Sequence, residues 1–502
     1  MSAGIDKYEA VIGLEIHAQL LTESKLFCGD STRFGAEPNT QVSPITLGHP
    51  GTLPKLNKKA IEYAIRMGLV CHCDIAHYNY FARKNYFYPD LPKGYQVSQH
   101  TTPICKNGYV AVQVGAVNKK ISLTRIHLEE DAGKSLHDVN DDYTCLDYNR
   151  AGVPLIEIVS EPDIRSAEEA YAYVTEVRKL VRWIGICDGN MEEGSLRCDA
   201  NISVRLKGEE KLGTKVEVKN LNSIRNVKKA IEVEVARLVK IVESGGTVIQ
   251  ETRSFDASND TTFAIRTKED ADDYRYFPEP DLTPFHFTEE FLEGIKKQLP
   301  ALPDELMNKY INEFKLPEYD ARVICESKET SDYFENIIAV YLPSPLSGEG
   351  QGLPTGQAGV RYKAVANWLL GPLKSYCNEN NLSFSDIRVN PANWAQLIEM
   401  IESGKVNFSA AAQKILPVLV QEENTDPLQV ATRFNMLQDS NTDVINKWIE
   451  EALAKMPDKV AEYRKGKKGL IGLFVGEVKK ISRGKADPKL TNELLLEKLN
   501  QL

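Results

Sequence analysis

The sequence predicts an α+β protein, in which a strand-rich first part is followed by a helical second part. Up to about residue 290, alternation of apolar and polar residues recurs, and the helical segments among these strands do not alternate with them regularly. Irregular alternation favours a largely antiparallel sheet. Beyond about Leu292 helical periodicity prevails, and the stretch Leu342–Gly359, rich in Pro, Gly and Ser, predicts a flexible loop or linker.

Capping signals and the spacing of apolar residues predict three helices in the first part. Asn57 is placed to cap a helix over about Lys58–Leu69, and Ser166 to cap one over about Ala167–Ile184. The third predicted helix spans about Ile224–Glu243 and has apolar residues at helical spacing. The second part contains predicted helices over Tyr362–Asn380, over Asn393–Ser403, and from about Ser409 onward.

Length and composition indicate a multidomain globular protein of the cytoplasm. The chain has 502 residues, 42% of them hydrophobic and 26% charged, so two to four domains are expected. Nothing approaches the roughly eighteen apolar residues of a membrane span, and the first twenty residues do not read as a signal peptide. The nine cysteines are scattered, as expected of reduced cytosolic thiols.

The charge is unevenly distributed along the chain. The formal net charge is −10, which by itself argues against a nucleic-acid-binding protein. From Lys455 to Lys489, however, eleven Lys or Arg stand against four Asp or Glu. A local basic element can attract a polyanion to one place on an acidic protein, although a solvated helix face gives the same pattern.

Polar residues interrupt two apolar strand patterns. In Val11–His17, alternation places Glu15 and His17 together on one face. In Val153–Val159, Glu157 is the one charged residue among apolar neighbours. A carboxylate there requires a partner or a cation, and Glu15 with His17 suits a metal or a proton relay as well as a half-buried ion pair.

A third strand pattern, Leu196–Leu206, has one apolar and one polar face. The polar face carries Arg197, Asp199 and Arg205 together with Asn and Ser. Guanidinium and carboxylate groups suit phosphate and metal, although an exposed sheet edge also carries them.

Three consecutive carboxylates, Glu129–Asp131, follow a further strand pattern. Like charges this close repel each other, and a divalent cation would relieve the repulsion; the alternative is an ordinary acidic turn. The candidate ligand set is rich in oxygen with one nitrogen, which favours Mg²⁺ or Mn²⁺ over zinc. The set consists of Glu15, His17, Glu130, Glu157 and Asp199.

The sequence contains none of the common nucleotide-binding motifs, so any nucleotide must bind in another way. There is no Walker A loop, dinucleotide-binding turn or serine nucleophile elbow in the sequence. The segment Ala82–Gln96 interleaves Arg and Lys with Tyr and Phe, an arrangement that can stack bases and hold phosphate or form a small aromatic core.

Several long motifs resemble those of the GatB family, the B subunits of the aspartyl/glutamyl-tRNA(Asn/Gln) amidotransferases. The resemblance extends from about Tyr8 to the C-terminus, and the motifs occur in the family's order. They are GLEIHAQL, ARKNYFYPDLPKGYQ, HLEEDAGKS, NRAGVPLIEIVSEPD, MEEGSLRCDANISVR, KVEVKNLNS and DDYRYFPEPDL.

The resemblance implies three domains: a cradle-like catalytic domain (1–292), a helical domain (293–408) that includes the loop 342–359, and a YqeY-like tRNA-binding tail (409–502). It implies a ligase that uses ATP and Mg²⁺ to phosphorylate the side-chain carboxylate of Glu-tRNA(Gln) or Asp-tRNA(Asn). Ammonia from glutamine then displaces the phosphate. A separate amidase subunit supplies that ammonia, and a small third subunit makes the complex a heterotrimer.

Residue roles follow from the same resemblance. Glu15, His17, Glu130 and Glu157 are expected to be catalytic and to bind magnesium, with Asp199 as a further ligand. The expected phosphate or nucleotide contacts are Lys84, Arg197, Arg205 and Lys219. Glycines and lysines of the tail motif are expected to meet RNA phosphates. The basic residues of this motif are Arg464, Lys465, Lys467, Lys468, Lys479 and Lys480.

The chain departs from the family pattern in two places. Many members carry a four-cysteine zinc site after the first strand, whereas here Cys28 is accompanied by Asp30, Ser43 and Thr46. We therefore expect no structural zinc. The segment 342–359 is longer than the family connector and is interpreted as a tolerated insertion.

Two other classes of function compete with this interpretation. A non-catalytic tRNA-binding scaffold would require the basic tail but not the clustered carboxylates. A metal-dependent ligase or hydrolase that acts on a small molecule would require the carboxylates but not the tail.

Overall fold

The structure is a computed structural model in which the chain forms two compact units, Met1–Leu302 and Pro303–Leu502. The residues that it describes are 5–137, 139–267, 274–341, 355–422, 425–438, 441–482 and 484–501.

The described strands all lie in the first unit, together with four helices. The strands are β1 Tyr8–Gln19, β2 Asp74–Ile75, β3 Tyr78–Asn79, β4 Ala82–Asn85, β5 Tyr95–Ser98, β6 Cys105–Lys106, β7 Tyr109–Val114, β8 Val117–Glu130, β9 Lys134–Leu136, β10 Cys145–Asp147, β11 Pro154–Ser160, β12 Leu196–Leu206, β13 Val216–Leu221, β14 Glu251–Asp256, β15 Thr261–Thr267, β16 Phe277–Pro278 and β17 Phe285–His286. The helices are α1 Lys58–Val70, α2 Ala167–Trp183, α3 Ile224–Glu243 and α4 Glu289–Lys297.

One large sheet organises this unit. Its main path among the described residues runs β15-β14-β13-β12-β1-β11-β8-β5-β4-β16. Off this path, β6 and β7 pair with β8, and β2 pairs with β6. Its pairings are antiparallel except for β13 with β14, which confirms the predicted α+β class and largely antiparallel sheet. The long strand β1 lies between β12 and β11, so both neighbours present side chains beside its own.

Helices cover the apolar face of this sheet. Ile12, Leu14 and Ile16 of β1 are fully buried on that face. Helix α2 contacts β1 and β7, and α3 contacts β12 and packs on α2. The opposite face of β1 is therefore free to carry polar groups.

The two predicted caps of the first unit, Asn57 and Ser166, are confirmed, and the structure adds Ser223 as the cap of α3. The side chains of Asn57, Ser166 and Ser223 accept hydrogen bonds from the first turns of α1, α2 and α3. Each bond satisfies an amide that has no partner within the helix.

The regular elements of the second unit, among its described residues, are all helices. Its helices are α5 Pro303–Asn312, α6 Glu318–Ile324, α7 Lys328–Tyr341, α8 Thr355–Trp368, α9 Lys374–Asn380, α10 Pro391–Glu402, α11 Phe408–Ala410, α12 Leu416–Gln421, α13 Pro427–Arg433, α14 Thr442–Ala454, α15 Pro457–Arg464, α16 Ile471–Ile481 and α17 Pro488–Gln501. Single π-helical turns at Leu369–Leu373 and Ala411–Ile415 join α8 to α9 and α11 to α12.

The prediction of a loop over 342–359 is wrong for its last five residues, because α8 begins at Thr355. The rest of that segment, 342–354, lies outside the described residues. The Pro and Gly content that predicted a loop is concentrated before Thr355, and the sequence from there on tolerates a helix.

Two hydrophobic cores lie in the second unit. One is formed by buried residues between Tyr310 and Ala431, and the other by buried residues between Ile445 and Leu499. The predicted domain boundary at residue 408 stays a prediction; the buried residues that follow it, Ala411 to Ala431, belong to the first of these cores.

Candidate active site

The polar face of β1 meets the polar faces of its neighbours in register. His17 is paired with Glu157 of β11 on one side, and Glu15 is paired with Asp199 of β12 on the other. Glu157 is in turn paired with His127 of β8. Directly paired residues have side chains about 5 Å apart on the same face, so this register alone gathers the charged groups.

One cluster combines an imidazole with two carboxylates. Ligand atoms of His17, Glu129 and Glu157 lie within 4.8 Å of one another. His17 Nε2 is 3.8 Å from Glu129 Oε1 and 3.7 Å from Glu157 Oε2. We call this group the histidine cluster; its oxygen-rich donor set fits Mg²⁺ or Mn²⁺.

A buried second histidine, His127, supports the histidine cluster. Its Nε2 is 3.2 Å from Glu157 Oε2 and 3.6 Å from Glu129 Oε2. Burial opposes the charge on His127, but Glu157 and Glu129 outweigh this effect and raise its pKa to about 9. Burial likewise opposes the charge on Glu157, but His127 and His17 outweigh it, so the Glu157 pKa is lowered.

The second cluster consists of three carboxylates. Ligand oxygens of Glu15, Asp199 and Glu217 lie within 4.8 Å of one another, and we call this group the carboxylate cluster. Burial, followed by the neighbouring Glu157, raises the Glu15 pKa, with smaller contributions from Asp199 and Glu217. A divalent cation bound among these three carboxylates would neutralise their negative charge, so the residues fit such an ion.

Each member of the carboxylate cluster is held by a hydrogen-bond donor. Asn201 Nδ2 donates to Glu15 Oε1 at 2.8 Å, and the main-chain amide of Asn220 donates to Asp199 Oδ1 at 3.0 Å. Lys219 Nζ lies 3.2 Å from Asp199 Oδ2 and 3.4 Å from Glu217 Oε1.

One cavity of about 350 Å³ is lined by all three residues of the histidine cluster and by Glu15 and Glu217 of the carboxylate cluster. Lys84, Arg125, Arg197 and Lys219 supply positive charge to its wall. Arg197 Nη2 is 3.0 Å from Asp131 Oδ1, and Lys84 Nζ lies 4.9 Å from the ring centre of Tyr274. Burial opposes the charge of Lys84, but Tyr276, Glu129 and Glu157 outweigh it and raise its pKa, so Lys84 stays a cation.

The structure therefore brings together most of the site residues predicted from sequence. Glu15, His17, Glu157 and Asp199 belong to the two clusters. Lys84, Arg197 and Lys219 line the same cavity.

Glu130 does not reach this cavity. Alternation along β8 turns Glu129 towards His17 and Glu130 to the other face. There Glu130 forms an ion pair with Lys93 and accepts a hydrogen bond from the Val97 amide at 2.9 Å. Of the three consecutive carboxylates, Glu129 and Asp131 line the cavity, whereas Glu130, the one chosen from sequence, does not.

Arg205 also lies away from the cavity. Its Nε is 2.7 Å from Glu9 Oε1, and its Nη1 donates to the carbonyl of Glu210. Arg205 shares the polar face of β12 with Arg197, but β12 extends beyond the cavity.

Sequence reasoning missed Glu129, Glu217 and His127. His127 and Glu129 alternate along β8, so counting by two from His127 would have selected Glu129. Glu217 alternates with Val216 and Val218, a weak pattern that points to the site only once β13 is known to pair with β12.

The loop after β1 brings Cys28, Asp30, Ser43 and Thr46 together in a hydrogen-bonded group. Asp30 Oδ2 accepts from the Ser43 amide at 2.8 Å and from Thr46 Oγ1 at 2.5 Å. Cys28 Sγ lies 3.3 Å from both Asp30 Oδ2 and Thr46 Oγ1. These contacts join Cys28, Asp30 and Thr46 through their side chains and Ser43 through its amide, while the buried Ser43 hydroxyl has no hydrogen-bond partner among the described residues. The expectation that zinc is absent stays a prediction.

The six basic residues predicted to contact RNA all lie on the surface of the second unit. They are exposed at the end of α15, in the following turn and in the last turn of α16. Lys467 is 3.0 Å from Glu462, and Lys468 lies over the Tyr463 ring at 4.3 Å.

No helix in the described part of the chain is both long enough and apolar enough to cross a membrane.

Two family models match this chain, one over the strand-rich first part and one over the helical second part. Residues 10–293 match the family described as the GatB/GatE catalytic domain, and residues 355–499 match the one described as the GatB domain. A relative from Thermodesulfovibrio yellowstonii is 48% identical and covers 99% of this chain and 100% of its own length. Relatives from Geotalea uraniireducens and Persephonella marina are 49% and 46% identical, and each covers 98% of this chain and 100% of its own length.

All three relatives are named as B subunits of aspartyl/glutamyl-tRNA(Asn/Gln) amidotransferase. The class of protein is therefore an amidotransferase subunit, one of the glutamine-dependent ligases that form carbon–nitrogen bonds. Within that class, the chain belongs to the GatB family.

The raised pKa of His127 predicts a pH-dependent stability in the metal-free protein. The folded-state pKa of about 9 exceeds the ordinary 6.5, so the stabilisation is complete below about pH 6.5 and is lost as the pH rises through 9. In EDTA, we expect His127→Gln to lower the free energy of unfolding by a few kcal/mol at pH 6 and by much less at pH 9.5. Urea unfolding at both pH values measures the difference.

The exposed His137 provides the matched control. His137→Gln should change the free energy of unfolding little, and equally at the two pH values. A His127→Gln deficit that is constant between pH 6 and 9.5 would contradict the assigned ion pairs.

Proposed function

We propose that this chain is the component of a tRNA-dependent amidotransferase that activates the side-chain carboxylate of Glu-tRNA(Gln) or Asp-tRNA(Asn). ATP provides the phosphoryl group, and ammonia then displaces phosphate to form the amide. The observation that carries the proposal is that residues of two carboxylate-rich clusters face one cavity together with four cationic side chains, Lys84, Arg125, Arg197 and Lys219. Full-length similarity to amidotransferase B subunits supports the substrate class.

The two clusters are suited to divalent cations beside a triphosphate. His17, Glu129 and Glu157 would hold one ion, and Glu15, Asp199 and Glu217 the other. Mg²⁺ bound there would neutralise phosphate charge and fix the attacking and leaving oxygens in line.

The cationic residues of the cavity have a separate task. Lys84, Arg197 and Lys219 present charge that can hold phosphate oxygens, and two of them are kept in place by Asp131 and Asp199. A carboxylate that attacks a phosphoryl group needs positioning and charge neutralisation rather than a protein nucleophile. The residues that line the cavity can supply both the positioning and the charge neutralisation.

Partners follow from the division of labour in the family. The proposed heterotrimer contains an amidase subunit, which releases ammonia from glutamine, together with a small third subunit, and it works in the cytoplasm. The exposed basic residues of α15 and α16 are proposed to contact tRNA phosphates, which they can do without reading sequence.

The choice of Glu129 over Glu130 as a metal ligand predicts different metal affinities for two variants. Mn²⁺ binding to the metal-free chain can be followed by electron paramagnetic resonance. Glu129→Gln should weaken one bound Mn²⁺ roughly 10-fold or more, because a ligand is lost. Glu130→Gln should leave Mn²⁺ affinity unchanged, because that side chain pairs with Lys93. The reverse order of effects would refute the assignment.

Amidation should depend on Glu15 but not on Glu9, which lies on the same face of β1 outside the cavity. With the amidase and the small third subunit present, and with glutamine, ATP and each misacylated tRNA, Glu15→Gln should reduce amide formation roughly 100-fold or more. Glu9→Gln should remain within a few-fold of the parent.

The same reactions separate the proposed function from its two rivals, because each rival predicts a different outcome. A scaffold would keep supporting amidation in Glu15→Gln, and a small-molecule enzyme would turn over without tRNA. Either result would overturn the proposed function.

The tail surface can be tested with two matched lysine pairs. Lys479 and Lys480 lie in the last turn of α16, Lys296 and Lys297 lie in the last turn of α4, and all four are exposed. Changing the α16 pair to Gln should weaken tRNA binding and lower its salt dependence by roughly one unit of log–log slope per lost phosphate contact. The α4 pair should have no effect; equal effects from both pairs would contradict the tail assignment.

A further inference from the structure

Thr252 of β14 lines the cavity but belongs to neither cluster. Its Oγ1 donates a hydrogen bond to Glu217 Oε2 at 3.0 Å. Both residues are buried, with 2% and 5% of their surfaces exposed. The contact follows from register, because β13 and β14 are parallel and Glu217 is paired with Thr252.

This bond completes a pattern in the carboxylate cluster. Glu15 is held by Asn201, and Asp199 by the Asn220 amide, which a backbone φ of +59° turns towards it. Glu217 is held by the Thr252 hydroxyl. Groups that fix the free rotation of a ligating carboxylate raise metal affinity, because the ligand is already oriented when the ion arrives.

The strand that carries Thr252 is itself firmly anchored. Arg253, the next residue, donates from Nε to Thr262 Oγ1 at 2.9 Å and from Nη2 to the Thr262 carbonyl at 2.6 Å. Thr262 Oγ1 in turn donates to the fully buried Glu234 of α3 at 2.7 Å. These bonds fix β14 against β15 and α3, so the Thr252 hydroxyl has a defined position.

We propose that Thr252 is a positioning residue that orients the Glu217 carboxylate for a divalent cation in the carboxylate cluster. The inference rests on the proposed function, since it presupposes that this cluster holds an ion. It assigns the role to a residue of β14, a strand that supplies none of the candidate ligands.

The test is Mn²⁺ titration of the metal-free full-length chain by electron paramagnetic resonance, with thermal unfolding of each variant in EDTA. Thr252→Val removes the hydroxyl at nearly constant volume, and Thr252→Ser keeps it. Thr262→Val is the matched control, because it removes a partly buried, hydrogen-bonded hydroxyl from the same hairpin without touching the cavity.

We expect Thr252→Val to weaken one of two bound Mn²⁺ ions by roughly 10- to 100-fold, the usual effect of losing a group that orients a ligand. Thr252→Ser should restore affinity to within about 3-fold of the parent. Thr262→Val should lower the unfolding temperature and leave both Mn²⁺ affinities unchanged.

A folded Thr252→Val variant with parental Mn²⁺ affinity overturns the inference. So does a Thr262→Val variant that loses as much affinity, because the effect would then be a general consequence of loosening the hairpin. Glu217→Gln separates this failure from failure of the proposed function. If Glu217→Gln also retains both ions, the carboxylate cluster is not a cation site and the inference falls with it; if it loses one ion while Thr252→Val loses none, only the role of Thr252 is refuted.

Discussion

The register of β1 between β11 and β12 is the constraint on which the site depends. It is enforced from the apolar side, where Ile12, Leu14 and Ile16 are fully buried beneath the helices. A slip of one residue would expose these side chains and bury Glu15 and His17 in their place. Hydrophobic packing on one face of the strand therefore determines which charged groups meet on the other.

The charges that meet there are compensated in two different ways. In the histidine cluster, buried His127 supplies a positive charge between Glu157 and Glu129. In the carboxylate cluster, compensation comes from Lys219 and from directed hydrogen bonds, and Glu15 keeps a raised pKa. The second cluster thus retains more uncompensated negative charge. Both arrangements exist in the protein groups alone, so a cation would enter a site whose ligands are already in place.

The second unit follows a different physical rule. Its surface lysines on α15 and α16 surround a separate core of buried residues from Ile445 to Leu499. Packing of this core holds the helices, and the basic residues are exposed on its surface, where Lys468 lies over the ring of the core residue Tyr463. A basic surface of this kind attracts a polyanion through charge, and its effect is screened by salt. The acidic composition of the whole chain conceals it, since the net charge is −10.

Local signals in the sequence determined much of what the structure contains. The caps Asn57 and Ser166 predicted where α1 and α2 begin, because a capping bond involves residues only two or three positions apart. Alternation in β1 and β12 predicted that Glu15 with His17, and Arg197 with Asp199, share faces. Long motifs indicated the family before any geometry was known.

Pairing between distant strands decided the rest. Whether Glu129 or Glu130 faces the cavity depends on how β8 lies against β11, and the three consecutive carboxylates carry no trace of that choice. Glu217 lies on β13 and Thr252 on β14. In the order of the sheet these strands are separated from β1 by β12. Arg205 falls outside because β12 is longer than the cavity. The sequence by itself thus determined the elements and the kinds of ligand, since these follow from neighbours along the chain. Only the tertiary structure decided which side chains converge, because convergence depends on contacts between residues far apart in sequence.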